Sequence, residues 1–420
     1  MNILYFTLDD FDSLIHYRSI NTDLLREFEK HGHKVYVVSP SERKKRVQTR
    51  VIKEKEAVVL KPRIGNIQKT NIVKKGLNTL LIGSKLIRAI KKEWADVRFD
   101  LILYCTPPIT FLSVVEYVKK RDDARTYLLL KDIFPQNAVD IGMLRKNGLL
   151  GFLYKFFRRQ EKRLYAISDR IGCMSPANVE YVLKHNPEVR RRQAISFEQE
   201  RKTVVEVCAN SIEVVEKSVD DKTRKQIRKK YGIPLDKTIF VYGGNLGKPQ
   251  GIPFLIECLR KCEDIENVYF LIVGDGTEYH LLYRYIKNEQ PKNIRLMNHL
   301  PKDDYDTMVG ACDVGLIFLD YRFTIPNFPS RLLSYMQAKL PILACTDPNT
   351  DIGNIIMGID RIGNATHEPF GWWCESNNED SFYRQVKRIC KNETLKVYGE
   401  QGLNYLKDNY TVEKAYRTIL

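Results

Sequence analysis

Short apolar runs alternate with amphipathic stretches along most of this chain, and that alternation constrains the fold more than any other feature. Residues 2–8 (NILYFTL) read as a strand; 14–30 then places Ile20, Leu24 and Phe28 at intervals of four, one helical stripe. Gly32 follows as a C-cap and 35–40 (VYVVSP) as the next strand, which makes a βαβ opening and starts a parallel sheet. Further strands are expected at 101–104, 126–130, 170–174 and 204–207. A second α/β unit is expected after Asn210, with strands at 238–242, 268–273, 294–297, 314–318 and 342–344. Residues 216–231 read as a helix leaving the linker, and the chain beyond Trp373 reads as helical. The basic, weakly periodic stretch 42–75 reads as surface loops with short strands.

At 420 residues the chain is too long for one core and suits two domains of roughly 200 residues each. No run reaches the ~18 apolar residues a membrane span needs. The amino-terminal segment turns acidic within ten residues, so it reads as a buried strand and not a signal peptide. Nine cysteines without CxxC or Cys/His spacing fit reduced thiols in a cytosolic protein, and no metal is expected. The net charge of +16 lies wholly in residues 1–210, while 211–420 balance. A basic half beside a neutral half points to a polyanion or an anionic membrane, with a merely soluble basic surface as the plain alternative. Nucleic acid is not expected, because no helix-turn-helix, zinc-finger or RNA-binding signature accompanies the charge.

Three segments of the second half carry candidate chemistry. In 324–344 (TIPNFPSRLLSYMQAKLPILA) a loop runs into Ser330 and Arg331 at a helix start, where unpaired N–H groups and the positive dipole end favour an anion. Residues 241–251 (VYGGNLGKPQG) and 271–279 (LIVGDGTEY) each follow an apolar strand with a glycine-bearing loop. Gly243, Gly244, Gly247 and Gly251 let backbone approach a phosphate, and together the three loops suggest a nucleotide diphosphate at strand carboxyl ends. Each loop taken alone also reads as a strand-to-helix turn without a ligand.

In the first half, Lys131 and Asp132 end the apolar strand TYLLLKD, where a doubly wound sheet presents side chains to its crevice. Asp132 either orients a hydroxyl or caps its loop. Thr106 and Pro107 end the preceding strand; Asp9, Asp12, Tyr17 and Arg18 follow the first one, with His16 a lone loop histidine. The run GFLYKFFRRQEKRLY (151–165) suits either a bilayer surface or a helix packed under the sheet with a basic outer edge.

With these motifs in order, the chain resembles glycosyltransferase family 4. GNLGKPQG stands at the family's donor-phosphate loop, VGDGTEY is similar to its VGDGPE element, and PSRLLSYMQAKLPILA resembles its P-S-K-x-x-E-Y-M-A-x-G-x-P-V-I-A run. VCANSIE matches the interdomain element, and LKDIFPQNAVDIG resembles a D-x-W-P block of bacterial capsule and O-antigen transferases. The resemblance implies an α/β GT-B fold, two doubly wound Rossmann-like domains facing across a deep cleft. Residues 1–212 would bind the acceptor, with helix 408–420 packing back on them, and 213–407 would bind the donor.

By the same resemblance, Gly243, Gly244, Asn245, Gly247, Lys248 and Gln250 would surround the diphosphate together with Asn327, Phe328, Pro329, Ser330 and Arg331. Gly274, Asp275, Gly276, Asn298 and His299 would lie near base and ribose. Asp132 and Lys131 would serve catalysis, and Asp9, Asp12, Tyr17, Arg18, Thr106 and Pro107 the acceptor. Three departures stand out: Ser334 replaces the ribose-holding glutamate, and Asn245 and Gln250 replace the charged loop residues, leaving Arg331 and Lys248 to supply charge. The implied reaction is retaining, metal-independent transfer of a hexose or N-acetylated amino sugar from a UDP-sugar, without a cofactor. Its acceptor would be a lipid-linked saccharide of bacterial surface polysaccharide, at the cytoplasmic face of the inner membrane. A non-hydrolysing UDP-sugar 2-epimerase and an inactive nucleotide-sugar-binding homologue are the alternatives; a nicotinamide dehydrogenase lacks its GxGxxG.

Overall fold

The structure, a computed structural model, describes residues 1–67, 74, 78–148, 151–191 and 203–420. The chain divides into two compact units, Met1–Glu213 with Val412–Leu420, and Val214–Thr411.

The first unit is built on a nine-stranded sheet. Its strands run in the spatial order Arg190–Arg191, Val204–Val207, Arg170–Cys173, Arg125–Leu130, Leu101–Thr106, Asn2–Phe6, Lys34–Val38, Ala57–Lys61, Arg50–Glu54. All neighbours pair parallel except the edge strand Arg50–Glu54. The central strands are buried along nearly their whole length, which is why they read as continuous apolar runs and not as alternating ones.

The first helix is Ile20–Lys30, shorter than the 14–30 expected. Ser19 ends it at the front: its hydroxyl accepts from the Thr22 amide, while the Thr22 hydroxyl accepts from the Ser19 amide. Leu24 and Phe28 then enter the core with Ala415 and Ile419 of the helix Val412–Ile419. Tyr416 of that helix stacks on His31 at 4.1 Å and meets Phe28 edge-on at 5.1 Å. His31 Nε2 lies 2.9 Å from Glu413 and 3.1 Å from Glu27, a polar clasp over the apolar contact.

Of the reading of 42–75 as surface loops with short strands, the short strands are present and the surface placement is corrected in part. Ala57–Lys61 is a fully buried strand paired to Lys34–Val38; residues 68–73 and 75–77 lie outside the described residues. Lys61 masked the strand in the sequence, because a strand ending in an ammonium reads as exposed. Its stem is enclosed, and its Nζ donates to Asp10, to the Phe11 carbonyl at 2.7 Å and to Ser39 at 3.3 Å. Asp12 Oδ1 lies 3.3 Å away.

The second unit carries six parallel strands in the order Ile294–Met297, Val268–Asp275, Thr238–Asn245, Val314–Phe318, Ile342–Thr346, Gly371–Glu375. Sequence order reverses direction between Thr238–Asn245 and Val314–Phe318, the switch point at which doubly wound sheets take ligands. Three strands run further than expected, through Gly243–Asn245, Gly274–Asp275 and Cys345–Thr346, and Gly371–Glu375 is a strand not anticipated. The helix expected over 216–231 begins at Asp221, capped by Asp220, whose carboxylate accepts from the Thr223 amide at 2.7 Å. Among the described residues no helix is long and apolar enough to cross a membrane.

Lys61→Met should cost about 2–4 kcal/mol in urea unfolding, because it leaves the Asp10 carboxylate without its enclosed cation. The double variant Lys61→Met/Asp10→Asn should recover part of that loss.

Candidate functional site

The glycine loops of the second unit are a single piece of structure. Thr238–Asn245 and Val268–Asp275 stay in register to their ends, with Gly244 opposite Gly274 and Asn245 opposite Asp275. A Cβ on Gly274 would lie 1.9 Å from the Gly244 carbonyl oxygen, and one on Gly276 would lie 2.3 Å from that of Leu246. Only glycine permits this approach. The Leu246 amide donates to the Asp275 carbonyl and the Glu278 amide to the Leu246 carbonyl, both at 2.9 Å, and Asp275 Oδ1 accepts from the Gly276 amide at 2.7 Å. Gly247, too, is held from within its loop: Gln250 Oε1 accepts from Asn245 Nδ2 at 2.9 Å and from the Gly247 amide at 3.3 Å. The two amide side chains that replace charged residues therefore brace the loop against each other.

Above this floor sits Arg331. Its guanidinium carbon lies 4.3 Å from the centre of the Tyr242 ring, and its Nη2 would be 3.5 Å from a Cβ on Gly244, whose φ of +123° suits glycine alone. Burial opposes the charge, but the hydroxyls of Tyr242 and Tyr335 more than offset it and hold the guanidinium above its ordinary range. Nη1 is enclosed, with no hydrogen-bond partner among the described residues. Tyr335 and Tyr305 fix the frame. Tyr335 Oη accepts from the Gly243 amide at 3.2 Å and lies 3.2 Å and 3.1 Å from the Val241 and Leu316 carbonyls. A Cβ on Gly243 would meet the Tyr305 hydroxyl at 1.7 Å. Burial pushes Tyr335 up to about 12, so it stays a neutral hydroxyl.

Other expected donor residues divide. Lys248 is exposed beside Gly251 in a cavity of about 290 Å³ that Asp320, Tyr321 and Arg322 also line. Asn298 and His299 are exposed beyond Ile294–Met297, and Pro329 and Ser334 are partly buried. Asn327 and Phe328 are set differently. The Asn327 carbonyl accepts from Thr350 Oγ1 at 2.6 Å, while Phe328 is buried with its ring 6.0 Å from Tyr410. The Phe328 side chain is thus a core side chain that anchors the loop by packing. Ser330 is exposed, lies in helical geometry at φ −64° and makes no side-chain cap, and the helix Arg331–Gln337 is short. Of the two features expected to meet an anion, the arginine side chain is better formed than the helix end.

In the first unit, strand ends again gather the expected residues. Lys131 Nζ donates to Asn21 Oδ1, and Asn21 Nδ2 donates to Asp9 Oδ2 at 3.1 Å. Burial lowers the Lys131 ammonium, against the pull of Cys105 and Asp9. Thr106 Oγ1 donates to the Asp132 carbonyl at 3.0 Å, and Pro107 is exposed beside it. Asp132 Oδ2 accepts from Asn137 Nδ2 at 2.7 Å, whereas the enclosed Oδ1 has no partner among the described residues. Burial pushes this carboxyl up to about 6, against the Asn137 and Ile133 N–H groups. A carboxyl titrating there can take or hold a proton near neutrality. The remaining three are engaged nearby: Asp12 accepts from Arg50 at 2.7 Å, Arg18 pairs with Glu213 at 3.0 Å, and Tyr17 stacks on Phe11 at 5.1 Å.

Comparison with known proteins decides the family. Residues 20–194 match Glycosyltransferase Family 4, and residues 223–404 match Glycosyl transferases group 1. The chain belongs to glycosyltransferase family 4. It is a glycosyltransferase, with the GT-B pair of parallel-sheet domains. It is 26% identical over 314 residues to "Probable glycosyltransferase WbjE" of Pseudomonas aeruginosa, covering 75% of this chain and 72% of that one. It is 25% identical over 257 residues to the Escherichia coli K12 protein "Putative colanic acid biosynthesis glycosyl transferase WcaI", covering 60% and 57%. Among solved structures, Anabaena HepE in complex with UDP and glucose superposes with a TM-score of 0.67 at 13% identity, covering 100% of this chain and 98% of that one.

Several residues of this family 4 chain's site went unremarked in the sequence. Tyr242 and Tyr335 lie inside the quoted motifs, where tyrosine at an apolar position reads as core. Asn21 and Asn137 gave no signal. Asp347, after Ile342–Thr346, is fully buried and pushed up to about 7 by that burial. Its Oδ1 accepts from the Asn349 and Thr350 amides at 2.9 Å and 3.2 Å, and those two side chains bond the Phe323 and Asn327 carbonyls. Asp347 thereby positions the loop leading to Arg331.

Because Asp132 is raised above its unfolded value, its ionisation opposes folding, so its stabilising contribution fades as pH climbs from about 4 through about 6. Asp132→Asn should remove that dependence. Urea unfolding at pH 4.5 and pH 8 should show the parent losing about 1–3 kcal/mol more than the variant across the interval.

Proposed function

We propose that this protein is a retaining glycosyltransferase that moves a hexose or N-acetylated amino sugar from a UDP-sugar to a lipid-linked saccharide during synthesis of bacterial surface polysaccharide. One observation carries the donor side: a guanidinium lying over the Tyr242 ring beside Gly244, with an enclosed N–H group unpaired among the described residues. That arrangement suits a diphosphate, whose negative charge grows as the glycosidic bond breaks. UDP as the carrier is supported by the likeness to HepE, solved with UDP and glucose. Polysaccharide synthesis is supported by the likeness to WcaI, named for colanic acid biosynthesis.

In this reading Arg331 and Lys248 neutralise the departing phosphate, and the backbone of Gly244–Gly247 approaches it closely. The bond from the sugar's anomeric carbon to the phosphate oxygen breaks as one to the acceptor oxygen forms on the same face. The acceptor's proton passes to the departing phosphate, so neither a protein nucleophile nor a metal is required. Asp132 and Lys131 orient the acceptor, the carboxyl through its free Oδ1. The enzyme works at the cytoplasmic face of the membrane that carries its acceptor.

Purified protein incubated with UDP- and GDP-sugars plus bacterial membranes should yield a lipid-linked product by mass spectrometry, and UDP should raise its melting temperature. Arg331→Ala should weaken UDP binding about 10- to 100-fold, the value of a charge-assisted contact to phosphate. Absence of product from every donor, together with no UDP-induced shift, would sink the proposal.

A further inference from the structure

We infer that the solvent face of the helix Gly151–Ile167 is a docking surface for an anionic lipid bilayer; the choice of partner rests on the lipid-linked acceptor proposed above. The exposed positions of this helix recur at three- and four-residue intervals from Phe152 through Lys155, Phe156, Arg159 and Lys162 to Arg163, so they form one stripe. Phe152 is 62% exposed and Phe156 40%. The opposite face is fixed in the unit. Leu164 and Tyr165 are fully buried, and Glu161 accepts from the Tyr165 hydroxyl at 2.9 Å and from Arg158 at 2.5 Å. The stripe is therefore presented by a rigid element.

Its chemistry selects the partner. No acidic residue lies on it, and Lys155, Arg159 and Lys162 make no ion pair or hydrogen bond among the described residues; Arg163 is shared with Glu116 at 2.8 Å. These cations border an open groove of about 520 Å³ with Tyr154 and Glu188. The two phenylalanines occupy the amino-terminal end of the stripe. A soluble polyanion would satisfy the cations and leave both rings in water. A bilayer satisfies both, with rings at the acyl boundary and ammonium and guanidinium groups among the phosphates. The excess of +16 confined to residues 1–210 adds long-range attraction to the same leaflet.

The test is co-sedimentation of the full chain with vesicles of phosphatidylcholine containing about a third phosphatidylglycerol, against phosphatidylcholine alone. Binding is expected to the anionic vesicles only, and to weaken as salt is raised. Lys155→Glu/Arg159→Glu/Lys162→Glu should lose about a hundredfold in partition, near fivefold per cation. Phe152→Ser/Phe156→Ser should lose about tenfold. Both variants should keep the parent's melting temperature and UDP-induced shift, which excludes misfolding as the cause. Wild-type protein that stays in the supernatant with anionic vesicles, or variants that pellet like the parent, would overturn the assignment. So would binding to heparin that the phenylalanine variant leaves unchanged while vesicles bind nothing. Transfer to a detergent-solubilised acceptor is scored separately, so loss of the transferase reading and loss of the docking surface give different results.

Discussion

Parallel pairing between Thr238–Asn245 and Val268–Asp275 continues past the apolar residues into the glycines, and the glycine-loop end of the second unit depends on it. With Gly244 facing Gly274 at backbone contact distance, two loops that would each be mobile alone become one surface. The Gln250 carbonyl and the Asp275 carboxylate then satisfy amides inside the loops. Fixed backbone dipoles of this sort are already oriented when charge develops in a reaction, which is the property that makes them catalytically useful.

A buried cation without a carboxylate partner is costly unless something else stabilises it. Around Arg331 that role falls to aromatic rings: the face of Tyr242 lies under the guanidinium, and Tyr335 and Tyr305 close the side toward Gly243. The arrangement leaves the charge unneutralised, because no carboxylate pairs with it among the described residues. Asp132 presents the reverse case, a carboxyl whose environment favours its proton and whose second oxygen is unengaged. The two units thus offer one fixed positive charge and one adjustable acid.

Much of this was legible in the sequence, for reasons specific to particular residues. Strands buried on both faces leave continuous apolar runs, so Leu101–Thr106 and Val314–Phe318 were visible from composition alone. That the glycine loops and Arg331 come together could be foreseen because each follows the end of an apolar strand in the same sheet. What escaped notice depended on long-range contact. Ala57–Lys61 was hidden by a lysine whose partners Asp10 and Asp12 lie some fifty residues earlier. The burial of the Phe328 ring could not be read either, because its packing partner Tyr410 lies some eighty residues later. The start of the first helix was set by one reciprocal pair, Ser19 with Thr22, which a count of apolar periodicity passes over.

The helix Val412–Ile419 belongs to the core of the first unit although nearly two hundred residues separate it from Glu213. During translation at about 5–20 residues per second, Leu24 and Phe28 therefore wait a further roughly 10–40 seconds after Glu213 is made before Ala415 and Ile419 follow. Over that interval the nascent amino-terminal unit presents an uncovered apolar seam. Its final closure is timed by the synthesis of the other unit.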